Sequence, residues 1–371
     1  MTGERMWPRI RHRSMGANRV LLTVSGVIPD DLEYAVAVGR RPRVDYVQLA
    51  AAMRADLLDY GAVRARQNSV GALIERCFGA NVMLALACFR RRLDYDVIVT
   101  DGEQIGIPLA ALSKLSRRST RAKHMMVVHI LSVPKKALLF RALRLRSGVD
   151  MFVVYCSAQK RFVIDRFGVD QRRVALQPFM VDTRFFRIAE TRPSERARPV
   201  ICAAGLERRD YATMLHAVAD IDADVVIAAA SPWSKRNSEL DGATLPGNVS
   251  VVRLGLFELR QLYADASVVV MPLQPVDFQA GITTILEAMS MERPVVCTAT
   301  AGQDDTVVEG ETGLYVPHAD AAAMQQAIEQ LLASPDDSAR LGAAARAWVV
   351  EHADVDVYAR DLAALADSLR R

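Results

Sequence analysis

The chain has 371 residues, 51% of them apolar and 24% charged, with a formal net charge of +4. Such a length is generous for one hydrophobic core and comfortable for two domains, and so small a charge does not point to nucleic acid as a partner. No apolar run reaches membrane-spanning length, and the five cysteines (Cys77, Cys88, Cys156, Cys202 and Cys297) are scattered without metal-ligand spacing, as in the reducing cytoplasm.

Residues 1–17 form a basic extension without the hydrophobic segment of a secretory signal. Val20 to Val24 is an apolar run that predicts a first strand, ending at Ser25-Gly26; the G-x-G-x-x-G fingerprint is absent after it. Val44 to Leu49 reads as a second strand. The long segment from Ala50 to Phe89 reads as helix-rich, with apolar spacing through Val70, Leu73, Ile74 and Cys77. Asp96 to Thr100 predicts a third strand, ending at Asp101-Gly102-Glu103. Carboxylates at the C-terminal edge of such a strand face the cleft of an open α/β sheet, so Asp101 and Glu103 are candidates to meet an acceptor hydroxyl. The plainer reading makes them a solvated turn capping the next helix. Met125 to Ile130 is a further strand with His129 near its end, either a structural residue or part of a site.

Two basic stretches follow, Lys114 to Lys123 and Lys135 to Arg146. In the second, Leu138, Leu139, Leu143 and Leu145 alternate with Lys and Arg. Such a segment either lies on an anionic membrane surface or packs its leucines on the sheet. Met151 to Tyr155 predicts another strand, followed by a helix from Ser157 to about Phe167-Gly168. The charged run at 195–199 reads as an interdomain linker.

In the second half, Val200 to Ala204, Asp224 to Ala229, Val249 to Leu254, Ser267 to Leu273 and Pro294 to Thr298 predict buried strands. Between the first two, Arg208 and Arg209 stand at a helix start, where positive charge is unfavourable and calls for an anionic partner. After Gly281, Ile282, Ile285, Leu286 and Met289 share one helix face, and the free N–H groups at that helix start suit an anion. Glu287 lies a turn further in and leans back toward the start. It either reaches a ligand hydroxyl or is a solvated residue paired with Arg293 or a nearby Lys or Arg. Gly302, Asp304 and Asp305 mark a loop, Gly310 and Gly313 frame a turn, and two helices (Ala321 to Leu332, Asp336 to Val350) precede a final segment.

The stretch 271–320 resembles the donor half of retaining glycosyltransferases of the family 4 type. Their signature is a Glu, seven residues and a second Glu, then a Gly-rich turn ending T-G-x-x-V-x-P. Glu287 matches the second Glu and Thr312-Gly313-Leu314-Tyr315-Val316-Pro317 the turn, while the first Glu is replaced by Gln279. Gln177 to Thr183 resembles the family's interdomain motif, with Phe179 and Met180 substituted.

The resemblance implies an α/β protein of two facing Rossmann-like domains, the GT-B fold, with a deep cleft between them. The domains would span 18–190 and 191–350, and residues 351–371 would return to the first. It implies a hexosyltransferase-type enzyme of bacterial kind, moving a sugar from a UDP-, GDP- or dTDP-linked donor to a hydroxyl with retention. Neither metal nor cofactor is implied. Arg209, helped by Arg208 or Lys235, would grip the diphosphate. Ala280, Gly281, Ile282 and Thr283 would hold its oxygens through backbone N–H groups, Glu287 the ribose, and Gln279 the sugar. His129 would approach the donor sugar, Arg253 and Leu254 the base, and Gly26 would line the first-domain loop. The acceptor would be a small molecule, a glycan or a lipid-linked species, and residues 135–146 would touch the inner membrane surface peripherally. The alternatives are a nucleotide-sugar epimerase on this fold and a non-catalytic nucleotide-sugar-binding subunit, the latter favoured by Gln279 and by Leu206 standing where the family has Arg.

Overall fold

The computed structural model describes residues 20–114, 122–192, 194, 196–229, 240, 244–303 and 305–370. The N-terminal extension, the middle of the first basic stretch, Lys235 with the loop at 230–234, and Asp304 lie outside the described residues.

Long apolar runs alternating with helical patterns are what a parallel sheet covered on both faces requires. Two such sheets form, each of six parallel strands. The first holds β1 (Val20–Val24), β2 (Asp56–Asp59), β3 (Val97–Thr100), β4 (Lys123–Val128), β5 (Met151–Val154) and β6 (Val174–Leu176) in the order β2-β1-β3-β4-β5-β6. The second holds β7 (Val200–Ala204), β8 (Asp224–Ala228), β9 (Val249–Val252), β10 (Val268–Met271), β11 (Val295–Thr298) and β12 (Gly313–Val316) in the order β12-β11-β10-β7-β8-β9. In each sheet the chain runs outward from one strand in both directions, so the crevices open between β1 and β3 and between β7 and β10. Ligands bind such open sheets beyond the carboxyl ends of the strands at that switch point.

One predicted strand is corrected. Val44 to Leu49 is not a strand; Asp45–Met53 is a helix, and the strand at this place in the sheet is Asp56–Asp59, inside the segment read as helix-rich. The alanines at 50–52 and the acidic first residue favour the helix, and Leu49, Ala50 and Met53 bury one helical face. The Gly313 turn continues into β12, which pairs with β11 at the sheet edge.

The C-terminal helix Val355–Ser368 crosses back and packs on the Asp45–Met53 helix, placing Tyr358, Ala359 and Leu362 in the first domain's core with Leu49 and Met53. Where it starts, Val181 and Val355 exchange backbone bonds with Ala353 and Val181. Here Arg43 donates to both Asp182 and Asp356. A second bridge spans the cleft itself: Ser157 of the first domain donates its N–H and hydroxyl to the Asp305 carboxylate, at 2.7 and 2.5 Å. Among the described residues no helix is long and apolar enough to cross a membrane.

Candidate active site

On the second domain the site is built around a buried cation. β7 ends at Gly205, whose φ of +90° suits glycine, and the loop turns back so that Arg209 is only 5% exposed. Its Nε donates to the Ala204 carbonyl at 3.0 Å and Nη1 to that of Glu207 at 2.7 Å. Among the described residues it forms no ion pair, and burial pushes its pKa down. Facing it is Gly281, with φ +75°, which caps the Ile282–Ser290 helix. A Cβ on Gly281 would lie 2.6 Å from Met271 Sδ and 3.0 Å from Arg209 Nη1. The guanidinium thus lies beside the helix start with its free N–H groups, an arrangement that could hold an anion through two independent sources of positive potential.

Glu287, half-buried one turn along, accepts a hydrogen bond from the Tyr263 hydroxyl at 2.9 Å. The pairing with Arg293 does not form; that guanidinium donates to the Met291 and Ala266 carbonyls. Burial pushes the Glu287 carboxyl up to about 7, and the Tyr263 hydrogen bond only partly offsets it.

Gln279 is buried, with Nε2 3.3 Å from Thr306 Oγ1 and Oε1 without a partner. Behind it, fully buried Gln303 donates Nε2 to the Ala280 carbonyl at 2.5 Å, and its own Oε1 has no partner. The Gly302 backbone lies so close to Phe278 that a Cβ would stand 2.2 Å from the Phe278 oxygen. The loop after β11 is thus the backing of the loop before the helix. Ala280 and Ile282 are buried while Thr283 is exposed. Arg208, at φ +57°, holds Gln274 through its carbonyl, and its side chain is in solvent, as is that of Arg253. Leu254 packs on the domain core.

On the first domain, Gly26 has open space where a side chain would be. Asp101 accepts from Thr23 Oγ1, the Ser25 N–H and Ser25 Oγ at 2.6–2.7 Å, tying the end of β3 to the end of β1. Glu103 is buried and accepts from the His129 N–H and from Lys136 Nζ at 2.6 Å. Burial pushes its carboxyl up, but Lys136 and those donors hold it below the ordinary range. Both carboxylates are thus engaged in fixing their own loops. They do so beside His129, whose Nε2 lies 2.8 Å from the Asp101 carbonyl, and whose ring packs on Tyr155. A carbonyl only accepts, so Nε2 carries the hydrogen and Nδ1 of the neutral ring is left as an acceptor. Asp45, at the first turn of its helix, is pushed up by burial and by the nearby Asp101 charge.

The described residues contain no group of three or more His, Cys, Asp or Glu arranged to hold a metal ion. Residues 198–334, which carry Arg209, Gln279, Gly281 and Glu287, match the family model described as glycosyl transferases group 1. That match lies within the second domain. Two glycosyltransferases named GDP-mannose-dependent alpha-(1-6)-phosphatidylinositol monomannoside mannosyltransferase are similar. The one from Mycolicibacterium smegmatis is 24% identical over 271 residues, covering 66% of this chain and 70% of that protein. The one from Mycobacterium tuberculosis is 29% identical over 252 residues, covering 61% and 63%. Among solved structures, a glycosyltransferase from Rickettsia africae superposes with a TM-score of 0.70 at 13% identity, covering 95% of this chain and 98% of that one. Anabaena HepE in complex with UDP-glucose gives 0.68 at 14%, covering 94% and 99%. These likenesses establish the two-domain glycosyltransferase fold that the resemblance implied.

Four residues in or beside the candidate site had no signal in the sequence: Tyr263, Gln303, Asp45 and Ser157, the partner of Asp305. Each matters through a contact distant along the chain, and none belongs to a spaced motif.

Proposed function

We propose that the protein is a hexosyltransferase that takes a nucleotide-linked sugar and passes the sugar to a hydroxyl acceptor with retention at the anomeric carbon, without a metal. The observation that carries this reading is the Arg209 guanidinium, buried without an ion-pair partner among the described residues and set against the Gly281 helix start. A buried cation of this kind is costly unless an anion completes it, and a diphosphate fits both the charge and the N–H donors. In this reading the leaving phosphate sits between Arg209 and the helix start, which neutralise the charge developing as the glycosidic bond breaks. The acceptor oxygen attacks from the face the phosphate leaves, and its proton passes to a phosphate oxygen. Glu287 holds the ribose hydroxyls, the unpartnered carbonyl of Gln279 accepts from a sugar hydroxyl, and Nδ1 of His129 accepts from across the cleft. The fixed positive groups take the place of a divalent ion.

Relatives named for GDP-mannose and a structural neighbour holding UDP-glucose make those the first donors to test. A lipid-linked acceptor and peripheral contact with an anionic membrane belong to the same proposal. They are supported by Leu138, Leu139 and Leu143, which are 70%, 46% and 46% exposed on the basic helix Pro134–Ala142 and the turn after it. The test is thermal unfolding with GDP-mannose, UDP-glucose and dTDP-glucose in the presence of EDTA, with hydrolysis of each followed in parallel. A ligand that binds only the folded state raises the melting temperature by mass action. One donor is expected to do so, and Arg209→Ala and Glu287→Ala to abolish the shift. No shift from any of the three overturns the donor site.

A further inference from the structure

The bridge across the cleft joins two loops that are each built the same way. Asp305 lies two residues after Gln303, whose Nε2 holds the Ala280 carbonyl and so sets the backbone at the start of the Gly281 helix. Ser157 lies two residues before Gln159, whose Nε2 holds the His129 carbonyl and whose Oε1 accepts the Tyr155 N–H. On either side of the cleft, then, a glutamine amide clamps one carbonyl of the loop facing the ligand. The residue two places away reaches over to the opposite domain.

We propose that Asp305 and Ser157 are positioning residues whose contact couples the facing of the two domains to the shape of both halves of the site. The physical basis is the rigidity of each link. The Asp305 carboxylate receives a backbone N–H and a hydroxyl at the first turn of the Ser157–Phe167 helix, where the helix dipole also favours negative charge. Thr306, next along, meets Gln279, and Gly302 packs directly on Phe278. Little slack is therefore left between Asp305 and the 278–281 backbone. With the contact made, the loop after β11 is pinned from both ends and the helix start is held ready. With it broken, Gln303 and Gln159 each lose a fixed neighbour two residues away, and both ligand-facing loops loosen together. Domain opening would then release donor and product by relaxing the loops that grip them. What the loops grip rests on the donor-site reading above; the coupling itself does not.

The experiment is amide hydrogen exchange on the ligand-free protein, comparing wild type with Ser157→Ala, Asp305→Ala, the double variant and Ser157→Thr. Two peptides are read, one covering 277–284 and one covering 127–133. Loss of a charge-assisted hydrogen bond is expected to speed exchange by about tenfold where opening depends on it. Ser157→Ala should do so in 277–284, in the other domain, and Asp305→Ala in 127–133. The double variant should exchange no faster than Asp305→Ala, and Ser157→Thr should match wild type. Loosening confined to the domain that carries the substitution, or no loosening, or additive effects, would overturn the coupling. Because no nucleotide is present, failure here is distinct from failure of the donor reading. Where a donor is established by thermal shift, the same variants should raise its KM more than they lower kcat.

Discussion

Glu287 is the residue whose chemistry is most exposed to a simple measurement. Its carboxyl is raised by burial to about 7, against an ordinary value of 4.5. A carboxyl whose folded value exceeds its unfolded one contributes stability that is complete below the unfolded value and is lost as pH rises through the folded value. Wild type should therefore lose melting temperature relative to Glu287→Gln between about pH 5 and pH 7, and a matching pair of unfolding curves checks this. Donor binding should run the other way. Ribose hydroxyls donate to the ionised form, so affinity for a nucleotide-sugar is expected to rise with pH through about 7 in wild type and to stay flat in Glu287→Gln. Gly281 is the other residue where the local argument is sharp. A side chain there meets a left-handed backbone, Met271 and the Arg209 guanidinium at once. Gly281→Ala should cost roughly 1–3 kcal/mol, measured by denaturant unfolding, and weaken nucleotide binding beyond that loss by displacing Arg209.

Among the elements, the Pro134–Ala142 helix carries two readings of the same residues. Leucines alternating with basic side chains suit a helix packed on a sheet as well as one laid on a membrane. In the structure Phe140 and Leu145 turn inward, each 1% exposed, while Leu138, Leu139 and Leu143 face out. Packing on the sheet is thus not what those three leucines do. At the far end of the helix a recess of about 250 Å³ is lined by Arg141, Arg144, Arg146 and Arg166 with Phe140 and Phe167. This concentrates positive charge at the end of the helix. Co-sedimentation with phosphatidylserine-containing vesicles is the expected result, lost at high salt and lost in Leu138→Asp/Leu143→Asp. Because both positions are exposed, that variant should unfold within about 0.5 kcal/mol per site of wild type and keep its response to soluble donor.

For the molecule as a whole, the relation between the domains is set where the two connecting strands of chain meet. Arg43 binds Asp182 through its N–H, Nε and Nη2, and binds both oxygens of Asp356 through Nη1 at 2.8 Å. Burial opposes the charge on Arg43, but the two carboxylates more than restore it and raise its pKa. Arg346 meanwhile holds the carbonyls of Thr183, Phe186 and Ser290, fastening the crossing segment to the second domain. Removing Arg43 leaves the buried Asp182 carboxylate without its main partner, at a cost of about 3–5 kcal/mol. Arg43→Ala should lower the melting temperature by roughly 5–15 °C, read by calorimetry. Arg43→Lys should recover little of it, because an ammonium cannot serve both carboxylates in a planar fork.

Much of this architecture was legible in the chain itself. Apolar runs beginning at Val20, Asp96, Met125, Met151, Val200, Ser267 and Pro294 are dense enough to be strands buried on both faces, and each holds a strand of a parallel sheet. The helix after Gly281 was legible because glycine, apolar spacing and the stop at Pro294 all act over a few residues. The donor half rests on the family resemblance carried by Gln279, Glu287 and the Thr312–Pro317 turn. Val44 to Leu49 was misread because its alternation suits either element at that length, and packing against the C-terminal helix settles it. The partners of the site were beyond reach altogether. That Glu287 meets Tyr263 and not Arg293, that Arg209 lies buried against Gly281, and that Ser157 meets Asp305 across 148 positions of chain are facts of long-range packing. Local sequence determines which backbone each segment adopts; which side chains then share one low-dielectric point depends on how the two sheets are brought face to face.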